Sequence, residues 1–340
     1  MRHSDSLDEL VRRTAHALSA KRRGAVVVGA IRGDDSAVHG ADPATLFEIG
    51  SVSKTFTSLA LATLVTQEQV SLQAPLYKLL PHGAAVPGRS GEPIRLQHLA
   101  CHTSGLPKLP RGLMPSGLFS KDPYAGCTTP FLLDGLPRTR LRSTPGTRFH
   151  YSNLGAGLLG LALAHHTGQD YDTLIRTEVT DPLKLVDTAV ALTPEQTSRL
   201  ATGHNALGRR TPRWRLAELA GAGGIHSTVP DLLLLARAHL TPPADDSTTA
   251  PLAEAVRLTR GTAHPLPGGP SKAHPGWISF PLGSDGPQAL FHNGGTGGYR
   301  SLLAVAPERQ AAVVILSAQA RSVDRAGFSL LTRLLRTVEA

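Results

Sequence analysis

Ser51 and Lys54 stand three positions apart in the stretch Phe47-Glu48-Ile49-Gly50-Ser51-Val52-Ser53-Lys54. On a helix that spacing puts both on one face and brings an amine to a hydroxyl. A hydroxyl becomes a useful nucleophile when a neighbouring base takes its proton, and the lysine is a candidate base. The local pattern supplies the helix, because Val52, Phe56, Leu59, Ala60 and Leu64 recur at helical spacing. Thr45 to Ile49 reads as a short buried strand, and Gly50 as a tight turn. Ser51 then falls at or near a helix N-terminus, where unpaired N–H groups and the helix dipole favour negative charge. A serine that merely caps a helix gives the same four-residue pattern, so the pair needs support from elsewhere in the chain.

Support comes from two later stretches. In Phe149-His150-Tyr151-Ser152-Asn153, a loop entering a helix, Tyr151 offers a phenol. Near a cationic lysine that phenol is expected to lose its proton more easily and act as a base. Asn153 offers an amide able to orient both a substrate carbonyl and the Lys54 amine. In His292-Asn293-Gly294-Gly295-Thr296-Gly297-Gly298, at the end of a strand, side chains are nearly absent, so a ligand can approach the backbone. The Gly295 and Ser51 N–H groups are candidates to cradle a developing oxyanion. A further stretch, His102-Thr103-Ser104-Gly105-Leu106-Pro107, carries no obvious chemistry of its own.

Other chemistries are poorly supported. The net charge of +9, from 35 basic and 26 acidic residues, invites a nucleic-acid reading. The arginines are spread along the chain, however, and only 4% of residues are aromatic, so no nucleic-acid partner is expected. The densest group, Arg138, Arg140, Arg142 and Arg148, reads as a solvated loop. Cys101 and Cys127 are too few for a disulfide framework and match no metal spacing. No metal or organic cofactor is expected. His165-His166 reads as a helix C-terminal cap, and His102 and His226 read as structural. Gly155-Ala156-Gly157-Leu158-Leu159-Gly160 fits a dinucleotide fingerprint, but it lies within a helix that follows a loop, so the glycines are read as close packing. Trp277 fits a pocket wall or the core equally.

The elements that must hold these groups can be read from periodicity. Residues 5–21 form an amphipathic helix, 24–31 a buried strand, and 33–36 a hairpin turn. The Ser51 helix runs to about Thr66, residues 81–93 form a loop, and Ile94 to Cys101 form a short helix. Residues 107–147 form a long loop-rich excursion, the kind of segment that often walls a pocket. Helices follow at 154–166, 171–179, 229–240 and 250–260, then a Pro- and Gly-rich stretch at 261–275. Strands at 277–282, 288–292, 299–306 and 311–317 precede a final amphipathic helix at 323–338. Strands at both ends of the chain imply an α/β fold of the α+β kind. An antiparallel sheet is formed by the N- and C-terminal segments, flanked by the terminal helices. The domain division is 1–50 with 270–340 for the sheet and 51–269 for a mostly helical insertion, with the active site in the cleft between them. No apolar run reaches the roughly 18 residues needed to span a bilayer, so no membrane partner is expected. Met1 to Lys21 lacks the apolar block of a secretory signal, and a cytoplasmic location is expected.

Ser51-x-x-Lys54, Tyr151-x-Asn153 and His292-Asn293-Gly294, in this order, resemble the serine β-lactamase and penicillin-binding-protein superfamily. The nearest likeness is to its class C β-lactamase, D,D-peptidase and esterase branch. His102 to Pro107 and Ala222-Gly223-Gly224-Ile225-His226-Ser227-Thr228, followed by Asp231, are similar to that branch too, and the resemblance covers about residues 22–318. It implies that Ser51 is acylated, that Lys54 accepts or relays its proton, and that Tyr151 is the base that also serves deacylation. Asn153 is then a substrate-positioning residue. His292 and Asn293 stand where many members place the Lys and Thr of Lys-Thr-Gly. That lysine serves the carboxylate of penicillins, so strong β-lactamase activity is not expected, and His292 is expected to titrate near pH 6 to 7. The reading is a serine hydrolase acting on a small-molecule ester or amide. Its alternatives are a transacylase with a second, acyl-acceptor substrate, and a non-catalytic acylatable sensor.

Overall fold

The computed structural model describes residues 6–113, 122–242, 250–282 and 288–336. The strands, in chain order, are β1 (Val26–Arg32), β2 (Asp35–Gly40), β3 (Phe47–Glu48), β4 (His226–Ser227), β5 (His264–Pro265), β6 (Lys272–His274), β7 (Trp277–Pro281), β8 (Gln288–Gly295), β9 (Arg300–Ala306) and β10 (Ala311–Ser317). One eight-stranded sheet runs β2-β1-β10-β9-β8-β7-β6-β5, and β3 pairs separately with β4. The two ends of the chain meet at the β1–β10 pair, where Val26 faces Ser317 and Arg32 faces Ala311 in antiparallel register. These two strands are covered on both faces, which is why each reads as a nearly unbroken apolar run. The expected mixed fold, with an antiparallel sheet built from the two ends, is the fold observed.

The helices explain that double cover. On the outer face lie α1 (Leu7–Ser19) and, at the other end of the chain, Asp324–Arg336, whose apolar stripes meet Val26, Val28, Leu302 and Val313. Between them in sequence come α2 (Ser53–Thr66), α3 (Leu96–Ala100), α4 (Thr129–Gly135), α5 (Asn153–Thr167) and α6 (Tyr171–Ile175). The single turns α7 (Asp181–Leu183), α8 (Pro194–Ser198) and α9 (Ala220–Gly223) lead to α10 (Val229–Leu240) and α11 (Ala250–Gly261). Asp324–Arg336 is then α12. Every residue of α2 from Ser53 to Leu64 is buried. It is the axle between two cores: Phe56, Leu59 and Ala60 join the sheet's inner face, while Leu61 and Leu64 join the helical body around α5.

Several expectations change at this level. Residues 229–240 fall inside the expected 51–269 helical body, yet α10 packs on β10, β1 and β9, with Val229 and Leu233 against Gly29. Its apolar face matches the sheet's inner face, so it belongs with the sheet. The 261–275 stretch contains β5 and β6, joined where Leu266 N–H donates to Ser271 O at 2.9 Å. A proline is tolerated in β5 because that strand is the sheet's edge. The 107–147 excursion contains α4, capped by the Thr128 hydroxyl with proline in its first turn. The strand at 45–49 shortens to β3, and the helix expected over 171–179 stops at Ile175, widening into a π turn at Arg176–Thr180. His165 and His166 bond the Leu79 and Gln69 carbonyls, so they tie α5 to another segment and do not cap their own helix. Trp277 is core, its ring tilted against that of His239 with centroids 4.8 Å apart. In α5, Gly157 lies against Leu219 and Gly160 against Tyr171 and Gly221, close packing with no room for a nucleotide. Residue 5, residues 114–121 of the excursion, and residues 337–338 of the expected last helix lie outside the described residues.

Candidate active site

Ser51 lies in a single 3-10 turn, Gly50–Val52, that runs directly into α2. The turn is held from three sides. Ser301 Oγ on β9 donates to Ile49 O at 2.7 Å, Ile49 N–H donates to Ile225 O at 3.1 Å, and Ile225 N–H donates to Ser53 Oγ at 3.1 Å. Gly50 has φ +51°, and a Cβ there would stand 2.7 Å from Gly295 N. A Cβ on Gly294 would stand 2.0 Å from Ile49 O and 3.0 Å from Ser51 N. Side chains are thus excluded on both sides of the contact between the Ser51 turn and β8.

That contact sets two N–H groups together. Ser51 N–H belongs to a first helical turn, which has no intrahelical acceptor for it. Thr296 N–H donates to Tyr299 O at 3.2 Å and closes the β8–β9 hairpin. Bonded pairs alternate along an antiparallel ladder, so the next pair, Gly295 with Arg300, is a non-bonded one. The Gly295 N–H therefore turns away from β9, on the side from which the Ser51 turn approaches β8.

Lys54 lies buried beneath Ser51. Its Nζ is 3.1 Å from Ser51 Oγ, 3.0 Å from Asn153 Oδ1 and 2.5 Å from Ala222 O. Burial lowers its pKa from the usual lysine range to about 7, and the charge of Lys108 adds to the effect. Near neutral pH much of it is the free amine. Two N–H bonds then go to the Asn153 and Ala222 oxygens, which can only accept, and the lone pair is left for the Ser51 hydroxyl proton.

Tyr151 corrects an expectation. Burial pushes its phenol up to about 12, against the opposing pull of Ser51 and Lys108. The Lys54 amine, 5.0 Å from the ring centroid, does not ionise it. At neutral pH Tyr151 keeps its proton and is a hydrogen-bond donor, and Lys54 is the one of the two able to accept a proton. The ring is set by His102, 4.4 Å away, whose Nδ1 accepts from Ser152 N–H at 3.2 Å. Ser152 Oγ in turn donates to Pro107 O at 2.7 Å and accepts from Gly155 N–H at 2.9 Å, capping α5. The stretch from His102 to Pro107 is thus the buttress of Tyr151 and Asn153.

His292 corrects another. It is 4% exposed and does not line the cleft. Burial and the nearby Lys54 drive its pKa down to about 3. Its Nδ1–H donates to Asn293 O at 2.7 Å. The expected titration near 6 to 7 is therefore absent, and His292 supplies no cation to a substrate carboxylate. The cleft itself is about 390 Å³, lined by Ser51, Tyr151, Trp214 and Asn293 through Thr296, and closed by Arg300, Ser322 and Asp324. A larger space of about 660 Å³, between α11 and the β5–β8 edge, touches none of the groups with chemistry.

Several residues of this region escaped the sequence reading, Ser322 and Asp324 of the lining among them. Tyr124, from the excursion, packs 5.5 Å from Trp214 and is reached by the Asn153 side chain. Glu48 is buried behind the cleft, where burial raises its carboxyl to about 7 while Thr296 and the Trp214 backbone hold it partly back. It accepts from Trp214 N–H at 3.1 Å and so fixes that wall. Arg300 lies over Gly295. Among the described residues no group of three or more His, Cys, Asp or Glu is placed to hold a metal ion.

The sequence model of the Beta-lactamase family matches residues 8–334. The chain is 29% identical over 272 residues to the D-alanyl-D-alanine-carboxypeptidase/endopeptidase AmpH of Escherichia coli (strain K12), across 78% of this chain and 69% of that protein. It is 26% identical over 302 residues to a beta-lactamase of the same strain, across 80% and 75% of the two chains. Among solved structures, a beta-lactamase/D-alanine carboxypeptidase from Yersinia pestis matches with TM-score 0.79 at 24% identity, covering 98% of both chains. A class C beta-lactamase matches with TM-score 0.80 at 19% identity, covering 100% of this chain and 99% of that one. At these identities the structural likeness is one of fold.

Proposed function

The chain belongs to the beta-lactamase family, and we propose that it is a serine hydrolase cleaving a small-molecule ester or amide through an acyl-Ser51 intermediate. One observation carries the reading: Lys54 is buried among two oxygens that can only accept and one hydroxyl, with its pKa brought to about 7. A lysine kept only for structure gains nothing from that arrangement, because burying an amine costs stability unless its charge is paired.

In the proposed reaction Lys54 takes the Ser51 proton as Oγ bonds to the substrate carbonyl carbon. The carbonyl electron pair moves onto oxygen, which the Ser51 and Gly295 N–H groups stabilise. Collapse of this adduct breaks the bond to the leaving group. The neutral Tyr151 phenol is suited to protonate the departing atom, and the Lys54 ammonium restores the phenol's proton. Water then attacks the acyl-serine, giving its proton to the same pair, and Ser51 is released with its hydroxyl restored.

The relatives' names, a D-alanyl-D-alanine carboxypeptidase/endopeptidase and a beta-lactamase, make D-Ala-D-Ala peptides and β-lactams the first amides to try, beside simple esters. Intact mass after exposure to each compound, and to a fluorophosphonate, tests the reading. A single acyl or phosphonyl adduct on Ser51, absent in Ser51→Ala, is the expected result. Turnover without any dependence on Ser51 overturns it.

A further inference from the structure

The space of about 660 Å³ between α11 and the edge of the sheet is larger than the cleft and falls in the size range of small-molecule sites. Its floor follows from strand register. Lys272 on β6 faces Ser279 on β7, and Ser279 faces Leu290 on β8, so the three stand in a row on the sheet's inner face. His274 and Gln288 lie two residues along from Lys272 and Leu290 and share that face. His274 is 8% exposed, with its Nε2 2.9 Å from Ser279 Oγ. Its Nδ1 makes no hydrogen bond, although the Thr262 and Arg260 carbonyls lie near the ring. Leu290, Ala263 and Pro307 give part of the lining an apolar character.

Arg260, in the last turn of α11, lines this space half-buried. Its Nη1 donates to His239 O at a long 3.4 Å. Among the described residues its other N–H groups have no acceptor, and no carboxylate comes within 4.0 Å. Burial lowers its pKa while Glu308, also in the lining, opposes the shift, and an arginine stays charged throughout. The dipole of α11 favours a cation in its last turn, but an exposed arginine would satisfy that equally well. Taking a guanidinium partly out of water costs stability unless an anion pairs with it. Lys272 and Arg257 add positive charge to the same lining.

We propose that this space is a second ligand site, separate from the catalytic cleft, for a small organic anion: a carboxylate or phosphate monoester on an apolar body. The anionic head pairs with Arg260 and Lys272 above the Ser279 hydroxyl, and the body covers Leu290, Ala263 and Pro307. The linings of this site and of the cleft share no residue. Strand β8 runs from one to the other, with Gln288 and Leu290 at this site and Asn293 to Gly295 at the cleft.

Isothermal titration calorimetry on the intact protein tests the site with benzoate, phenyl phosphate, their bare head groups acetate and inorganic phosphate, and neutral benzamide. The tighter aryl anion identifies the head group. It should bind about tenfold or more tighter than benzamide, the worth of a charge-assisted contact, and tighter than its own bare head group, which leaves the apolar lining uncovered. Arg260→Gln should cost it about tenfold, and Arg260→Lys less. Ala263→Trp, which fills the space from an exposed position, should abolish binding while melting stays close to wild type. Trp214→Ala, in the catalytic cleft, should leave the affinity unchanged. No saturable binding of either aryl anion, benzamide or a bare head group binding as tightly, or an affinity unchanged by Arg260→Gln or by Ala263→Trp overturns the site. Binding that Trp214→Ala removes and Arg260→Gln keeps places the anion in the catalytic cleft and overturns it too.

Discussion

The two walls of the cleft are built from different materials. One wall is helical: the turn into α2 and the start of α5 bring Ser51, Lys54, Tyr151 and Asn153 together as side chains. The other is the β8–β9 hairpin, which offers backbone N–H groups, missing side chains and one pinned guanidinium. Both walls bury a basic side chain, with opposite consequences. Burial brings Lys54 down to about 7, where it can give and take protons at neutral pH. The same cost takes His292 from 6.5 to about 3, out of reach of any neutral-pH chemistry. Burial without an opposite charge brings an amine that starts near 10.5 into the working range and takes an imidazole that starts near 6.5 out of it.

The largest effects fall on the helical wall. Ser51→Ala should abolish turnover and fluorophosphonate labelling while circular dichroism and melting stay close to wild type. Lys54→Ala should cut kcat/KM by about 100-fold or more, the scale of a lost general base. Lys54→Arg should be as poor at every pH, because a guanidinium holds its proton throughout. Tyr151→Phe should lose a comparable factor, and the double variant less than the product if the two share one proton path. Losses that multiply fully would divide the wall into independent parts.

Much of this wall was legible from sequence because it is local. Ser51 and Lys54 are one helical turn apart, and Tyr151 and Asn153 flank the cap of α5, so short spacing conveys the geometry. The hairpin wall is not local in that sense. Glu48, Trp214 and Arg300 come together only through tertiary packing, and Tyr124 sits in a stretch with no periodicity. One signal was available and missed. A tight turn over Thr296–Tyr299 extends β8 to Gly295 and places Arg300 opposite it. Ending the strand at His292 hid that pairing. Burial is the other illegible quantity: nothing in His292-Asn293-Gly294 tells which residue faces the cleft and which is sealed behind it.

The hairpin wall should break in graded fashion. Gly294→Ala sets a Cβ against the Ile49 carbonyl, which is backbone and cannot swing away. The Ser51 turn and β8 must then separate, misplacing both N–H donors, and kcat should fall by about 100-fold with lowered thermal stability. Gly295→Ala meets the end of the Arg300 side chain, which can move. A several-fold loss in kcat/KM is expected, with labelling of Ser51 retained. Equal damage from the two substitutions would mean that the hairpin acts only as scaffold.

The smallest expected effect tests the contrast between the two buried bases most directly. The neutral amine of Lys54 is the competent form, so kcat/KM for a neutral ester should rise with pH through about 7 and level off above it. The direction follows from the shift: below its folded pKa the lysine carries a proton and cannot accept another. Folding stability should move the same way from about pH 7 toward 10.5, because across that range the unfolded chain holds a proton that the folded chain lacks. A histidine with pKa near 6.5 in the cleft would imitate the activity profile, so the profile alone does not assign it. His292→Asn decides the source. With His292 at about 3 the inflection should stay where it is in wild type, and only the absolute rate should change, through packing against Tyr151 at 6.3 Å. Glu48, also near 7, is another buried group able to bend the curve, and Glu48→Gln should leave its midpoint in place if Lys54 sets it. An inflection that vanishes in His292→Asn would show that the hairpin wall keeps a working base, and the division between the two walls would fall.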